Sequence, residues 1–292
     1  MSGPTCSYCG QQIEPGQLYC PTCGTHAPAP PVTPVEPAAT PAPEPVDGIT
    51  DPVRPALWTE RQWRIFELAL VCAVAFAISV LHSAEIFFIG NRQATSRSTG
   101  EMAWVYVMVR QGIALALLWY ILQRRSKTFR GLGLRWSLKE VAFGCLLFVG
   151  GGIAYGILHW LIHVLMAALN WPLGPQPNVS VMLYGSRVAV MAIVSDLLNP
   201  FYEELIVRAF VMTEVKALTN NLALAIAASV LLQTSYHFYQ GAPAALSHFG
   251  TFLVFALYYA KTNRIGAPVA AHLLLDLSAT LLYMARLHQR AF

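Results

Sequence analysis

From Ile65 to the last residues of the chain, apolar runs of 16 to 29 residues follow one another with few interruptions. An apolar stretch of about 18 residues or more is long enough to cross a bilayer as a helix, and a soluble domain cannot bury so many of them. Charge clusters, Pro, Gly and Asn delimit about eight segments, near 65–89, 102–123, 141–169, 180–198, 203–218, 221–238, 245–260 and 266–285. The expected fold is an all-α polytopic membrane protein of about eight transmembrane helices. The fifth and seventh segments are short: sixteen helical residues rise only ~24 Å. They are expected to be buried among neighbours or to stop short of a full crossing. The composition agrees, since only 12% of the 292 residues are charged, about half the usual share for a soluble domain. A soluble enzyme, a disordered chain and a coiled coil are excluded.

Charge sets the expected orientation. Segment 124–139 carries Arg124, Arg125, Lys127, Arg130, Arg135 and Lys139 without an acid, while 170–179 has no charge. The basic segment belongs on the cytosolic side. Counting two spans back and six forward puts both termini of this multi-pass cell-membrane protein in the cytosol. Residues 1–56 are acidic, with a net charge of −4, and the remainder is basic, at +8. The basic residues cluster at helix ends rather than on a face interleaved with aromatics, so they orient the bundle and do not bind nucleic acid.

The amino-terminal tip is a separate body. Cys6 and Cys9 form one C-x2-C pair and Cys20 and Cys23 a second, each followed directly by Gly. Two such knuckles close a four-sulfur structural zinc site, and a segment this short and polar needs the metal in order to fold. Residues 1–26 are read as a zinc ribbon ligated by Cys6, Cys9, Cys20 and Cys23, with His26 a bystander. It resembles the short zinc ribbons at the ends of many bacterial chains. No secretory leader is recognisable ahead of it, and a reducing cytosol suits thiolates held by metal. Residues 27–56 hold ten of the nineteen prolines, the composition of a stiff, extended Pro/Ala-rich linker without a core. A tethered ribbon can bind a cytosolic protein partner or act as a passive cap. Residues 57–292 form the helical bundle.

Ionisable residues inside apolar spans are costly and default to function or pairing. Most lie late in the chain. Pro200 marks the expected start of the fifth segment. There Glu204 and Arg208 stand four residues apart, about 40° apart in projection, and can pair on one helix face. Glu203 is turned about 100° away and can point elsewhere, as a catalytic base requires. His237 lies at depth among aromatics at the end of the sixth segment, and His272 and Asp276 form an i, i+4 pair on the eighth. Carboxylates and imidazoles from three apolar helices can converge on one polar pocket and activate water.

Three strings, Glu203-Glu204-x-x-x-Arg208, His237 within Ser-Tyr-His-Phe-Tyr-Gln-Gly, and His272-x-x-x-Asp276, together resemble the CPBP (or ABI) intramembrane protease family, which includes the endopeptidases that cleave prenylated CAAX proteins. The resemblance covers roughly residues 180–285. It implies a bundle with an active site inside the membrane, open toward the cytosol, acting on a membrane-associated peptide or protein. It further implies that Glu203 with His237 activates water, that His272 with Asp276 forms the oxyanion side, and that Arg208 holds Glu204 or a substrate carboxylate. Two positions depart from the family pattern. Gln233 stands where Phe is common, and Asp276 stands where Asn is common. Glu and His at these spacings also suit Zn²⁺ with an open position, so a metalloprotease and a glutamate-only hydrolase are both open, the latter preferred. The rival class is a non-proteolytic scaffold or transporter that keeps the same pocket for binding. Outside the motifs, His159 and His163 are read as polar packing between helices, His248 as a cavity-edge residue, and Arg187 and Asp196 as partners for neighbouring helices.

Overall fold

The computed structural model describes residues 5, 6, 9–14, 17, 20, 22, 23 and 25 of a first unit, Met1–Pro55, and residues 58–89, 100–171, 177–185 and 188–290 of a second unit, Ala56–Phe292. The linker up to residue 56, His26 and Arg187 lie outside the described residues. Within the first unit, Thr5 and Gln12 form an isolated bridge, and Cys6, Ile13 and Cys20 are buried together beside Cys23.

The described residues of the second unit are helical, without a strand. Helices α1 (Glu60–Ile89), α2 (Glu101–Arg124) and α3 (Leu138–Ala168) come first, then a short α4 (Val179–Tyr184). Helix α5 (Val190–Glu203) passes through a π-helical stretch, Glu204–Val211, into α6 (Met212–Thr219). Helices α7 (Leu222–Ser235), α8 (Ala242–Thr262) and α9 (Gly266–Arg290) complete the unit. Sequence-local signals start these helices. Thr59 and Gln62 exchange reciprocal capping bonds at α1, and the side chains of Ser137 and Asn221 accept from the third residues of α3 and α7. Helices α1, α2, α3, α8 and α9 are each long and apolar enough to cross a membrane.

Several expected boundaries move. The span expected at 180–198 is broken at Gly185, whose φ is +62°, and only α4 precedes the break. Pro200 does not start a helix but lies inside α5, and helical structure runs on from Val190 to Thr219. A membrane helix tolerates such a proline where its neighbours satisfy the freed carbonyl. The seventh segment is a full-length helix, because Pro243 sits at its permitted first turn and extends it back to Ala242. Helix α7, with 14 residues, is the short one; at 1.5 Å per residue it rises about 21 Å. Among the described residues, five helices are long and apolar enough to cross a membrane, and the run 190–219 and the short α7 pack with them.

The start of α1 lies with the basic segment, where Arg64, Glu67, Arg124, Arg125 and Glu214 form one ion-pair cluster. The start of α9 lies at the same end: Glu140 accepts from Ala267 N (2.9 Å) and pairs with Arg264, and Ile265 N donates to Gly133 O (3.0 Å). The far part of α9 packs at the other end. Tyr283 stacks on Tyr184, which stacks on Trp104 near the start of α2, and Glu101 caps the start of α5. The end of α9 and the start of α1 therefore occupy opposite ends of the bundle.

Small residues let α3 approach α8 and α9 closely. A Cβ at Gly144 would lie 2.6 Å from Ala270 Cβ, and one at Gly250 would lie 2.7 Å from Ala154 O. Between apolar helices in lipid, such close packing and interhelical bonds such as Thr251 Oγ1 to Gly151 O (2.9 Å) replace the hydrophobic drive available in water. The opposite face of α3 shows Leu146, Val149, Ile153, Ile157 and Trp160 outward, as a lipid-facing surface does.

Candidate active site

The site is built where the π-helical stretch meets α7 and α9. Glu203 is the last residue of α5, and the wider π turn begins directly after it. Single π turns inside α-helices recur at functional sites. Here the turn sends the two neighbouring carboxylates to different helices.

Glu203 points at α7. Its Oε2 accepts hydrogen bonds from Tyr236 OH (2.7 Å) and Gln233 Nε2 (2.8 Å). Its Oε1 takes part in neither bond, and the residue keeps 7% exposure. Gln233, which stands where the family pattern often has Phe, is thus a working polar contact of the carboxylate. Tyr236 is a direct hydrogen-bond donor to it.

Glu204 points at α9 and is fully buried. Its Oε1 is 2.8 Å from His272 Nδ1, and its Oε2 is 3.2 Å from Arg208 Nε, the pairing four residues apart that the spacing requires. Arg208 is also fully buried, lying against the rings of Phe252 (5.3 Å) and Phe255 (5.9 Å). Its Nη1 and Nη2 have no hydrogen-bond partner among the described residues.

His272 Nε2 faces Asp276 Oδ1 at 3.6 Å. That separation is longer than a hydrogen bond, so the ring's contact at bonding distance is the one between Nδ1 and Glu204. Asp276 Oδ2 accepts from Asn199 Nδ2 (3.1 Å), and Asn199 Oδ1 accepts from Gln111 Nε2 (2.8 Å).

His237 Nδ1 is 2.8 Å from Gln233 O. A carbonyl only accepts, so Nδ1 carries the hydrogen and Nε2 is left as the acceptor of the neutral ring. Tyr236, Tyr239, His248 and Phe252 surround the ring with centroids 4.8 to 6.2 Å away. Glu203, His237 and His272 are close enough to interact electrostatically. The structure thus brings together all six motif residues. His159 bonds Ser247 from α3 to α8 (3.0 Å), an interhelical contact, with the His163 ring tilted beside it on α3, and Asp196 accepts from Thr280 (2.5 Å). Gln111 and Asn199 carry no motif signal; only the fold connects α2 to this site.

A second cluster lies in the first unit. The sulfurs of Cys6, Cys9, Cys20 and Cys23 all fall within 4.8 Å of one another. Cys6 and Cys23 stand 3.5 Å apart and Cys9 and Cys20 3.6 Å, far beyond an S–S bond of about 2.05 Å. Four sulfurs on one tetrahedral zinc at ~2.3 Å would be ~3.8 Å apart, so the donor set fits such an ion. Thr25 pulls the Cys23 thiol down to about 6, toward the thiolate a metal takes. Among the described residues, no three His, Cys, Asp or Glu ligand atoms outside this cluster come close enough to hold a metal.

The fold and the site define a polytopic membrane protein with a polar centre of carboxylates and imidazoles inside its helices. Residues 185–278 match the family model described as Type II CAAX prenyl endopeptidase Rce1-like, a likeness consistent with a protease of the CPBP/CAAX family. No curated protein and no solved structure matches the chain.

Proposed function

We propose that the helical unit is an intramembrane endopeptidase that hydrolyses a peptide bond in a membrane-associated substrate of the prenylated CAAX kind, with Glu203 as general base. The observation that carries this reading is the division of labour within one carboxylate. Tyr236 and Gln233 fix Oε2, while Oε1 is left to take a proton. A water beside it has a second acceptor in His237 Nε2, which the bond from Nδ1 to Gln233 O holds in the accepting form.

Attack on the carbonyl generates negative charge in a site that already holds three carboxylates. The Arg208 guanidinium opposes it, and at low local dielectric its effect is far larger than in water. Glu204 in turn balances Arg208, which would otherwise be a buried, unpaired charge. The proposed chemistry uses these side chains alone. In the first unit, we infer that the Cys6, Cys9, Cys20 and Cys23 cluster holds a structural Zn²⁺; with four thiolates it leaves no open coordination position for chemistry.

Purified protein in detergent, incubated with a prenylated CAAX peptide and its unprenylated twin, tests the reading. Cleavage by the wild type and none by Glu203→Gln supports it. Equal cleavage by both proteins, or none by either, overturns it.

A further inference from the structure

Gln111 lies on α2, outside the matched segment and outside every motif, yet it is 3% exposed and reaches the site. It joins a directed chain. Asn199 Nδ2 donates to Asp276 Oδ2, and Asn199 Oδ1 accepts from Gln111 Nε2, so each amide's orientation fixes the next. Asp276 in turn lies beside the His272 ring, whose Nδ1 is 2.8 Å from Glu204. Asn199 precedes Glu203 by four residues on the same helix, so the chain and the base share one helix face. Gln111 Oε1 is buried without a hydrogen-bond partner. A leucine of similar size would avoid that cost, so the amide's one visible contribution is the bond it donates.

We propose that Gln111 and Asn199 are positioning residues of the Glu203 site: Gln111 sets the orientation of the Asn199 amide, which holds Asp276 beside the His272 ring. The role rests on the proposed hydrolytic function, but the orientation does not.

The probe is Gln111→Glu. The change is isosteric, but an ionised carboxylate accepts only, so it turns Asn199 round and presents Oδ1 to Asp276. Gln111→Leu merely deletes the donor. In Glu203-dependent cleavage, kcat is expected to fall about tenfold or more for Gln111→Glu near neutral pH and about threefold for Gln111→Leu, with KM unchanged, the scale for residues that orient a catalytic ligand. Gln111→Glu should recover as pH falls, because a protonated carboxyl donates again. A space-filling role predicts no recovery. Wild-type kcat in Gln111→Glu, or a loss that does not change with pH, overturns the positioning role.

Unfolding midpoints in detergent provide a readout independent of activity. The two Gln111 variants should differ in the wild-type background and match in an Asn199→Leu background. An equal difference in both backgrounds overturns the orientation. If the wild type cleaves nothing, the hydrolytic reading fails by itself, and the unfolding comparison still decides the orientation.

Discussion

The Arg208–Glu204 pair gives the site its most measurable energetic signature. Both side chains are fully buried, 3.2 Å apart, and the guanidinium lies against Phe252 and Phe255. Replacing Arg208 by Met keeps the apolar contact with the two rings but leaves the Glu204 charge buried with only His272 opposite it. Breaking a buried pair by removing one partner costs about 3–5 kcal/mol. For a body of this size each kcal/mol moves the unfolding midpoint by roughly 2–4 °C, so Arg208→Met should lower it by about 6–20 °C. The double variant Glu204→Gln/Arg208→Met removes both charges and keeps an oxygen to accept from His272 Nδ1. It should therefore be less destabilised than Arg208→Met alone. Tryptophan fluorescence during thermal unfolding of the purified protein in detergent reads both. A midpoint for Arg208→Met within about 2 °C of the wild type, or a double variant worse than the single, would refute the reasoning from a buried, mutually dependent pair.

Other regions of the molecule give further expectations. Gly266→Ala should abolish monodisperse protein on gel filtration, since its Cβ would fall 2.2 Å from Arg135 O, whereas Gly152→Ala, with nothing within 4 Å, should be tolerated. Chelation, or Cys9→Ser, should release the metal from the first unit, measured as loss of one zinc equivalent per chain by elemental analysis; full zinc retained in Cys9→Ser would contradict the four-sulfur site. With the basic segment cytosolic, a cysteine introduced at Arg286 should react with an impermeant maleimide on intact cells and one at Lys127 only after permeabilisation. The reverse pattern, or both on one side, would contradict the arrangement of α9.

The chemistry of the site was more legible in the sequence than its architecture. Glu204 with Arg208, and His272 with Asp276, are i, i+4 pairs within single helical stretches, so spacing alone shows that they can meet. The turn between Glu203 and Glu204 likewise predicts that they face different neighbours, and they do, one toward α7 and the other toward α9. Gln111, Asn199 and Tyr236 were not assigned roles, because α2 and α5 are joined only by the fold, and a tyrosine at a helix end reads equally well as an interface residue. The misplaced boundary has a local cause. Pro200 is a strong start signal in water, but inside a packed bundle it costs one donor and is absorbed within a continuing helix. Without that boundary, helical structure is continuous over residues 190–219.

The central claim is that Glu203 is the base of a peptide-bond hydrolase. Its most direct measurement compares the membrane proteomes of cells producing wild-type and Glu203→Gln protein at equal levels, reading new peptide termini by mass spectrometry. The proposed activity predicts at least one membrane-associated protein truncated near its C-terminus in the first and intact in the second. Indistinguishable sets of termini from two equally abundant, folded proteins would contradict it.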